Sequence, residues 1–147
     1  MKTYTPKAET ITRNWHHIDA KGQVLGRVSS QVAQLLIGKN KPYFVSHLDC
    51  GDYVLITNAD KIIVTGNKLN KKMYYRHSGF PGGLRTQNLK QSLEKDPTRV
   101  LEIAVKGMLP KNKLRDPRLR RLKIFIGEVH PYQDKLNATQ KITNNNQ

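Results

Sequence analysis

Two stretches of the chain carry hydrophobic residues at helical spacing, each on one side of a predicted helix. The first stripe consists of Leu25, Val28, Val32, Leu35 and Leu36. Gly38 follows this stripe and suits the C-cap of the helix, because glycine adopts the left-handed conformation at little cost. The basic sequence from Lys39 to Pro42 then predicts a loop.

The second stripe lies in the C-terminal half and consists of Val100, Leu101, Ala104, Val105 and Met108. Asp96-Pro97 predicts the start of this helix, since aspartate caps free amide groups and proline is favoured at the first helical position. Pro110 is expected to end it. A shorter helix is predicted over residues 89–95.

Short apolar or β-branched runs predict four strands. They cover residues 15–19, 53–57, 61–65 and 122–126. The run 53–57 is apolar without alternation, which is typical of a strand covered on both faces in a parallel sheet. Because strands alternate with helices, the pattern indicates an α/β fold with a mostly parallel sheet. Glycine and proline predict a loop over residues 74–83.

The length of 147 residues is enough for one domain with its own core. We expect an extended lead-in over residues 1–14, one α/β domain over 15–134 and a loose polar tail over 135–147. Cys50 is the only cysteine, so no internal disulfide is possible. No apolar run approaches the roughly 18 residues of a membrane span.

The charge balance gives the first indication of function. Lysine and arginine number 26 against 11 acidic residues, a formal net charge of +15. Such a surplus on one domain predicts a polyanionic partner, and nucleic acid is favoured over an anionic membrane surface. No segment combines a basic face with a strong apolar face over several turns, which a membrane-surface helix requires.

Segment 106–123 is the densest basic stretch, with Asp116 as its one acid. Its cations are Lys106, Lys111, Lys113, Arg115, Arg118, Arg120, Arg121 and Lys123. Neutralising phosphates with such side chains releases condensed counterions and drives binding. The alternative is a solvated charged surface. We predict RNA contact for Asn112 and for all of these cations except Lys123.

Segment 68–85 interleaves cations with aromatic rings and lies in a stretch, 61–93, without any acidic residue. The predicted RNA ligands here are Lys68, Lys71, Lys72, Tyr75, Arg76, His77 and Arg85. Rings can stack on unpaired bases while cations hold the backbone. Gly79, Gly82 and Gly83 would let the main chain approach phosphate closely. The alternative is that either tyrosine packs into the core.

Two smaller features leave alternatives open. Lys39 and Lys41 follow the first helix, where they would serve RNA contact or simply relieve the helix dipole. His47, Asp49, Cys50 and Asp52 cluster in sequence and define a rival hypothesis, a small nucleotide- or RNA-modifying enzyme. That reading lacks a positioned base and an activating environment for the thiol, so a polar loop entering a strand is favoured.

Short motifs occur in order from Trp15 to about Tyr132. The more general ones are Trp15 with Ile18-Asp19-Ala20, Leu25-Gly26-Arg27, Gly38-Lys39-Asn40-Lys41-Pro42, Asp49-Cys50-Gly51-Asp52-Tyr53-Val54 and Val64-Thr65-Gly66. The most specific are Tyr74-Tyr75-Arg76-His77-Ser78-Gly79-Phe80-Pro81-Gly82-Gly83 and Ala104-Val105-Lys106-Gly107-Met108-Leu109-Pro110-Lys111-Asn112, and Gly127 with His130-Pro131 closes the series. In these motifs the chain resembles the universal large-subunit ribosomal protein 13 family, bacterial type. It departs from the family at Tyr132 and Gln133, where the family has another histidine and a glutamine-rich stretch.

The resemblance implies a three-layer α/β/α domain with a four-stranded, mostly parallel sheet and basic loop extensions. It implies binding to large-subunit ribosomal RNA, contacts with neighbouring large-subunit ribosomal proteins and an early part in subunit assembly. The implied location is the ribosome, in the bacterial cytoplasm or in the matrix or stroma of an organelle. The alternative is an RNA-binding translational regulator that acts off the ribosome through messenger RNA. We expect no catalytic activity, cofactor, metal, membrane or small-molecule substrate.

Overall fold

Strands and helices alternate through most of the computed structural model, which describes residues 6–144 and the side chains of residues 6–138. The strands are β1 Trp15–Asp19, β2 Tyr53–Thr57, β3 Met73–His77, β4 Leu84–Asn88 and β5 Leu122–Ile124. The helices are α1 Leu25–Ile37, α2 Lys68–Lys71, α3 Leu89–Lys95, α4 Pro97–Met108, α5 Arg115–Arg120 and α6 Gln133–Asn144. Single 3₁₀ turns cover Ala8–Thr10 and Ala59–Lys61.

The central sheet is parallel, in the order β1-β2-β5. Trp15 lies opposite Tyr53, and Ile56 lies opposite both Ile18 and Ile124. Val54, Leu55 and Ile56 are fully buried, so the middle strand is covered on both faces as its unbroken apolar run predicts. The α/β class predicted from the sequence is therefore confirmed.

Helices α1 and α4 pack against each other and bury most of both predicted stripes. Met108 is the exception, because 44% of its surface is exposed at the end of α4. Val28, Val32 and Leu36 of α1 have no exposed surface. Gly38 has φ of +82° and ends α1, as predicted. Asp96 accepts amide hydrogen bonds from Thr98 and Arg99 at 3.1 and 3.3 Å and thereby caps α4, which is also as predicted.

The sheet has three strands because the predicted strand over residues 61–65 does not form. That segment makes one isolated parallel bridge, between Ile63 and Val24. The amide of Ile63 donates to the carbonyl of Gln23, and the amide of Leu25 donates to the carbonyl of Ile63. The partner segment then enters α1 at Leu25. No neighbouring strand is left to extend the ladder.

Residues 74–83 do not form one loop as the sequence predicts, because residues 74–77 belong to a strand. Strands β3 and β4 form an antiparallel hairpin, and only the six residues between His77 and Leu84 form its turn. The hairpin packs mainly on α2 and α3.

The C-terminal segment is helical as far as residue 144, although a loose tail was predicted from residue 135; residues 145–147 lie outside the described part. Trp15 stacks on Tyr53 with ring centroids 4.6 Å apart and on Tyr132 at 5.1 Å. Leu136 of α6 is buried. Tyr132, where the chain departs from the family pattern, thus helps to hold α6 beside β1. Of the predicted lead-in, residues 1–5 also lie outside the described part.

Between residues 6 and 144, no helix is long and apolar enough to cross a membrane.

Candidate nucleic-acid interface

The β3–β4 hairpin places two arginines directly opposite each other. Arg76 pairs with Arg85 in the antiparallel register, and Tyr74 pairs with Gln87 on the same face. Side chains that face each other across two strands lie about 5 Å apart at Cβ, so two like charges at this position destabilise the hairpin. A phosphate bound between the two guanidinium groups would reverse the sign of that interaction.

The hairpin turn forms a small hollow next to this pair, with a volume of about 390 Å³. The residues that line it are Arg76, His77, Ser78, Gly83 and Arg85. The amide of Gly79 donates to Nδ1 of His77 at 2.9 Å, which fixes the imidazole ring. A Cβ atom on Gly83 would lie 2.8 Å from the carbonyl oxygen of Phe80, so a larger residue would force the backbone of this turn to move.

A larger groove runs between the hairpin and helices α3 and α4, with a volume of about 560 Å³. The hairpin supplies one wall, α3 supplies Gln91, Ser92 and Lys95, and α4 supplies Arg99 and Ile103. Helical spacing explains the second wall, because residues three or four apart share a helix face. The groove has four cationic residues in its lining and no acidic one.

A third hollow continues along α4, where Arg99, Ile103 and Lys106 follow one another at helical spacing. Asp96 and Glu102 also line this hollow, so it is less positive than the groove. The three concavities adjoin one another, because the first two share Arg76 and Arg85 and the last two share Arg99 and Ile103. We call Arg76, Arg85, Lys95, Arg99 and Lys106 the cationic track; all five are exposed.

The track joins parts of the two basic segments that the sequence separates by about twenty residues. Among residues 6–138, none of its five side chains forms an ion pair. In this part of the chain their charges are therefore not paired with carboxylates at salt-bridge distance, although Asp96 lies close enough to interact with the charge of Arg99.

Arg118 and Arg121, both predicted as RNA ligands, are buried, with 1% and 6% of their surface exposed. Arg121 binds both carboxylate oxygens of Asp49, at 2.5 and 2.6 Å, and Arg118 Nε donates to the same carboxylate at 3.4 Å. Arg13 Nη1 lies 3.5 Å from Asp49 on the outer side. The prediction is corrected for Arg118 and Arg121: they hold a loop in the interior, and their guanidinium groups do not reach the surface.

The same cluster lowers the pKa of Asp49. Burial alone would raise it, but the hydrogen bonds and charge of Arg121 outweigh burial, and the charges of Arg13 and Arg118 add to the effect. The carboxylate is therefore ionised at neutral pH and forms ion pairs with its arginine partners.

Lys41 is also a structural cation. Its Nζ atom lies 2.5 Å from Oδ1 of Asp52 and donates to the carbonyl of Thr12 at 2.6 Å. Burial acts to raise the pKa of Asp52, but hydrogen bonds from His16, Lys41 and the Asn14 amide outweigh it and lower the pKa. Lys41 therefore has a structural role, which it fulfils through the ion pair with Asp52 and not through the helix dipole alone.

The remaining predicted ligands are spread over several elements. Exposed positions are Lys39, Lys68, Lys71, Lys72, Tyr75, His77, Lys111, Asn112, Lys113 and Arg120. Tyr75 is 68% exposed, so it is not part of the core. Tyr74 is half-buried, and Arg115 is partly buried on α5. Lys111, Asn112 and Lys113 lie in the loop between α4 and α5, beyond the end of the track.

A model of the family described as ribosomal protein L13 matches residues 13–131, most of the chain. The chain belongs to this family. Curated relatives named large ribosomal subunit protein uL13 include that of Kocuria rhizophila, which is 56% identical over 90% of both chains. That of Dehalococcoides mccartyi is 54% identical over 96% of this chain and 99% of its own. That of Thermobifida fusca is 50% identical over 97% and 96% respectively.

Three of the four residues of the rival enzyme hypothesis have structural roles, and His47 is exposed. Cys50 is fully buried, and both Asp49 and Asp52 are held in ion pairs. A Cβ on the neighbouring Gly51 would lie 1.7 Å from the carbonyl oxygen of Leu36, so this loop packs directly on the end of α1. In the described part of the chain, no three histidine, cysteine or acidic side chains group in a way that could hold a metal ion.

Sequence reasoning missed Lys95 and Arg99, which complete the groove. They lie outside both basic segments, on two consecutive helices. One signal was present in the sequence: Arg99, Ile103 and Lys106 share one face of the second predicted helix, opposite its buried stripe.

Proposed function

We propose that this chain is a structural constituent of the large ribosomal subunit that binds large-subunit ribosomal RNA. The relatives that match nearly its whole length carry the name of a large-subunit protein. The observation that carries RNA binding is the cationic track, five exposed cations on adjoining concavities without ion pairs among the described side chains. Its place would be the ribosome in the bacterial cytoplasm, beside neighbouring large-subunit proteins.

The work of such a protein is charge neutralisation and shape fixing, with no bond made or broken. Each phosphate that meets a track cation releases condensed counterions, so affinity falls as salt rises. Ion pairs such as Arg121–Asp49 hold the loops in place before RNA arrives. A rigid basic surface that is present early would lower the cost of folding the RNA around it, which supports a part in subunit assembly.

We infer that the protein is not an enzyme, because Cys50, Asp49 and Asp52 are occupied structurally and the groove beside the hairpin has a cationic lining. No observation on this chain favours the alternative of a regulator that acts through messenger RNA.

Cosedimentation tests the proposal. A tagged copy is expressed in a bacterium, ribosomes are washed in high salt, and subunits are separated on a gradient at low magnesium concentration. We expect the chain in the large-subunit fraction at about one copy per particle. A chain that stays at the top of the gradient, or follows polysomal messenger RNA and leaves with the wash, would contradict the proposal.

A further inference from the structure

We propose that the groove between the β3–β4 hairpin and helices α3 and α4 binds one unpaired nucleotide of RNA. The base would lie against Tyr74, and the adjoining phosphates would lie among Arg76, Arg85 and Arg99. The inference rests on the proposed RNA-binding function and adds to it the form of RNA that this site recognises.

The size of the groove fits a single nucleotide. Its volume of about 560 Å³ falls within the range of about 300–1,000 Å³ that is usual for small-molecule sites. Three separate elements form its walls, so it is a concavity of the fold and not a gap within one loop. The bases of a paired helix are stacked inside the duplex, whereas an unpaired base can be turned outward into such a space.

The charges of the groove fit phosphates on either side of one nucleotide. Arg76 and Arg85 face each other across the hairpin, and Arg99 approaches from α4 on the opposite wall. Guanidinium groups grip phosphate through two parallel hydrogen bonds. Asp96 and Glu102 lie in the neighbouring hollow on α4 and do not line the groove itself.

The uncharged lining fits a base. Gln87, Gln91 and Ser92 bring amide and hydroxyl groups into the groove, which can meet the donors and acceptors of a base edge. Oε1 of Gln91 accepts from the amide of Asn88 at 3.2 Å, which leaves the amide nitrogen of Gln91 as the donor for a ligand. The half-buried ring of Tyr74 supplies a stacking surface beside these groups.

The test uses the full chain and two RNA hairpins with the same number of phosphates. One is fully paired, and the other has a single bulged adenosine in the same stem. Dissociation constants are measured by fluorescence anisotropy at one fixed salt concentration. We expect the natural chain to bind the bulged RNA about tenfold more tightly, which is within the range for stacking one base on an aromatic side chain.

Variants locate the effect. Tyr74→Leu should reduce the preference to less than about twofold, while Tyr74→Phe should keep it, because the ring and not the hydroxyl stacks. Phe80→Leu is the matched control: Phe80 is an exposed ring in the turn of the same hairpin, outside the groove lining. Arg99→Gln, at an exposed position on α4, should also reduce the preference and tests the groove if Tyr74→Leu fails to fold.

The outcomes separate this inference from the proposed function. Equal affinity for both RNAs, or a preference that survives both Tyr74→Leu and Arg99→Gln, would overturn the inference while leaving salt-sensitive RNA binding intact. Displacement of the bulged RNA by micromolar adenosine monophosphate would assign the groove to a free nucleotide and equally overturn it. Failure of the proposed function would appear differently, as weak binding of both RNAs and absence from large subunits.

Discussion

Arg121 grips Asp49 through two parallel hydrogen bonds, Nη1 to Oδ2 at 2.5 Å and Nη2 to Oδ1 at 2.6 Å, although the two residues are 72 positions apart in the sequence. Removing one partner of a largely buried ion pair leaves the other charge without compensation. We therefore expect Arg121→Ala to lower the free energy of unfolding by about 3 kcal/mol, measured by urea denaturation. Arg121→Lys keeps the charge but loses the two parallel hydrogen bonds of the guanidinium group, and should lower the free energy of unfolding by about 2 kcal/mol.

The neighbouring Arg120 is exposed and provides the control. Arg120→Ala should change the free energy of unfolding by no more than about 0.5 kcal/mol. If Arg120→Ala and Arg121→Ala lowered the free energy of unfolding equally, the described difference between an exposed Arg120 and a buried, paired Arg121 would be wrong.

Acid should destabilise the protein through Asp49 and Asp52. Both have a pKa lowered from the ordinary value of 3.8 in the folded chain. A lowered folded pKa contributes stability that is present above the unfolded pKa and is lost as pH falls through the folded pKa. Thermal unfolding midpoints recorded from pH 7 to pH 2.5 should therefore decline most below about pH 4.

The variant Asp52→Asn checks the assignment. It should be less stable than the natural chain at pH 7, and the difference between the two should shrink as pH falls below 3.8. A constant difference across the whole pH range would mean that the ionised form of Asp52 contributes nothing specific.

Gly51 is required where the loop before β2 meets the end of α1. A Cβ atom there would lie 1.7 Å from the carbonyl oxygen of Leu36, and backbone would have to move. We expect Gly51→Ala to destabilise the protein by about 3 kcal/mol, or to prevent folding, as seen by circular dichroism and urea denaturation. Gly107→Ala in α4 meets no atom within 4 Å and should instead be neutral or stabilising by up to about 1 kcal/mol.

The buried helices and strands could be predicted from the sequence because the spacing of their hydrophobic residues indicates which face of each element is buried. Leu36 and Val105 mark the core faces of α1 and α4, and Gly38 and Asp96 mark helix ends. The alternation of predicted strands and helices gave the α/β class, and the family motifs from Trp15 to Pro131 lie within the matched residues 13–131.

Other features depend on partners that a local pattern does not contain. Strands β3 and β4 are largely exposed and lack an apolar alternation, so Gly79, Gly82 and Gly83 are the strongest local signal and predict a loop. Helix α6 is polar, and its place beside β1 depends on Tyr132 reaching Trp15. A basic composition also does not distinguish Arg120, which is exposed, from Arg121, whose carboxylate partner lies 72 positions away.

The salt dependence of RNA affinity tests the cationic track most directly. Affinity for a large-subunit ribosomal RNA fragment is measured between 50 and 300 mM salt, a range of about sixfold, for the natural chain and two triple variants. The track variant replaces three arginines with glutamine: Arg76, Arg85 and Arg99. The control variant replaces three exposed cations outside the lining of the track with glutamine: Lys21, Arg27 and Lys61. The track variant should lower the slope of log affinity against log salt by about 2, and the equally charged control by much less. Equal slopes for the two variants would contradict the assignment of this face to RNA.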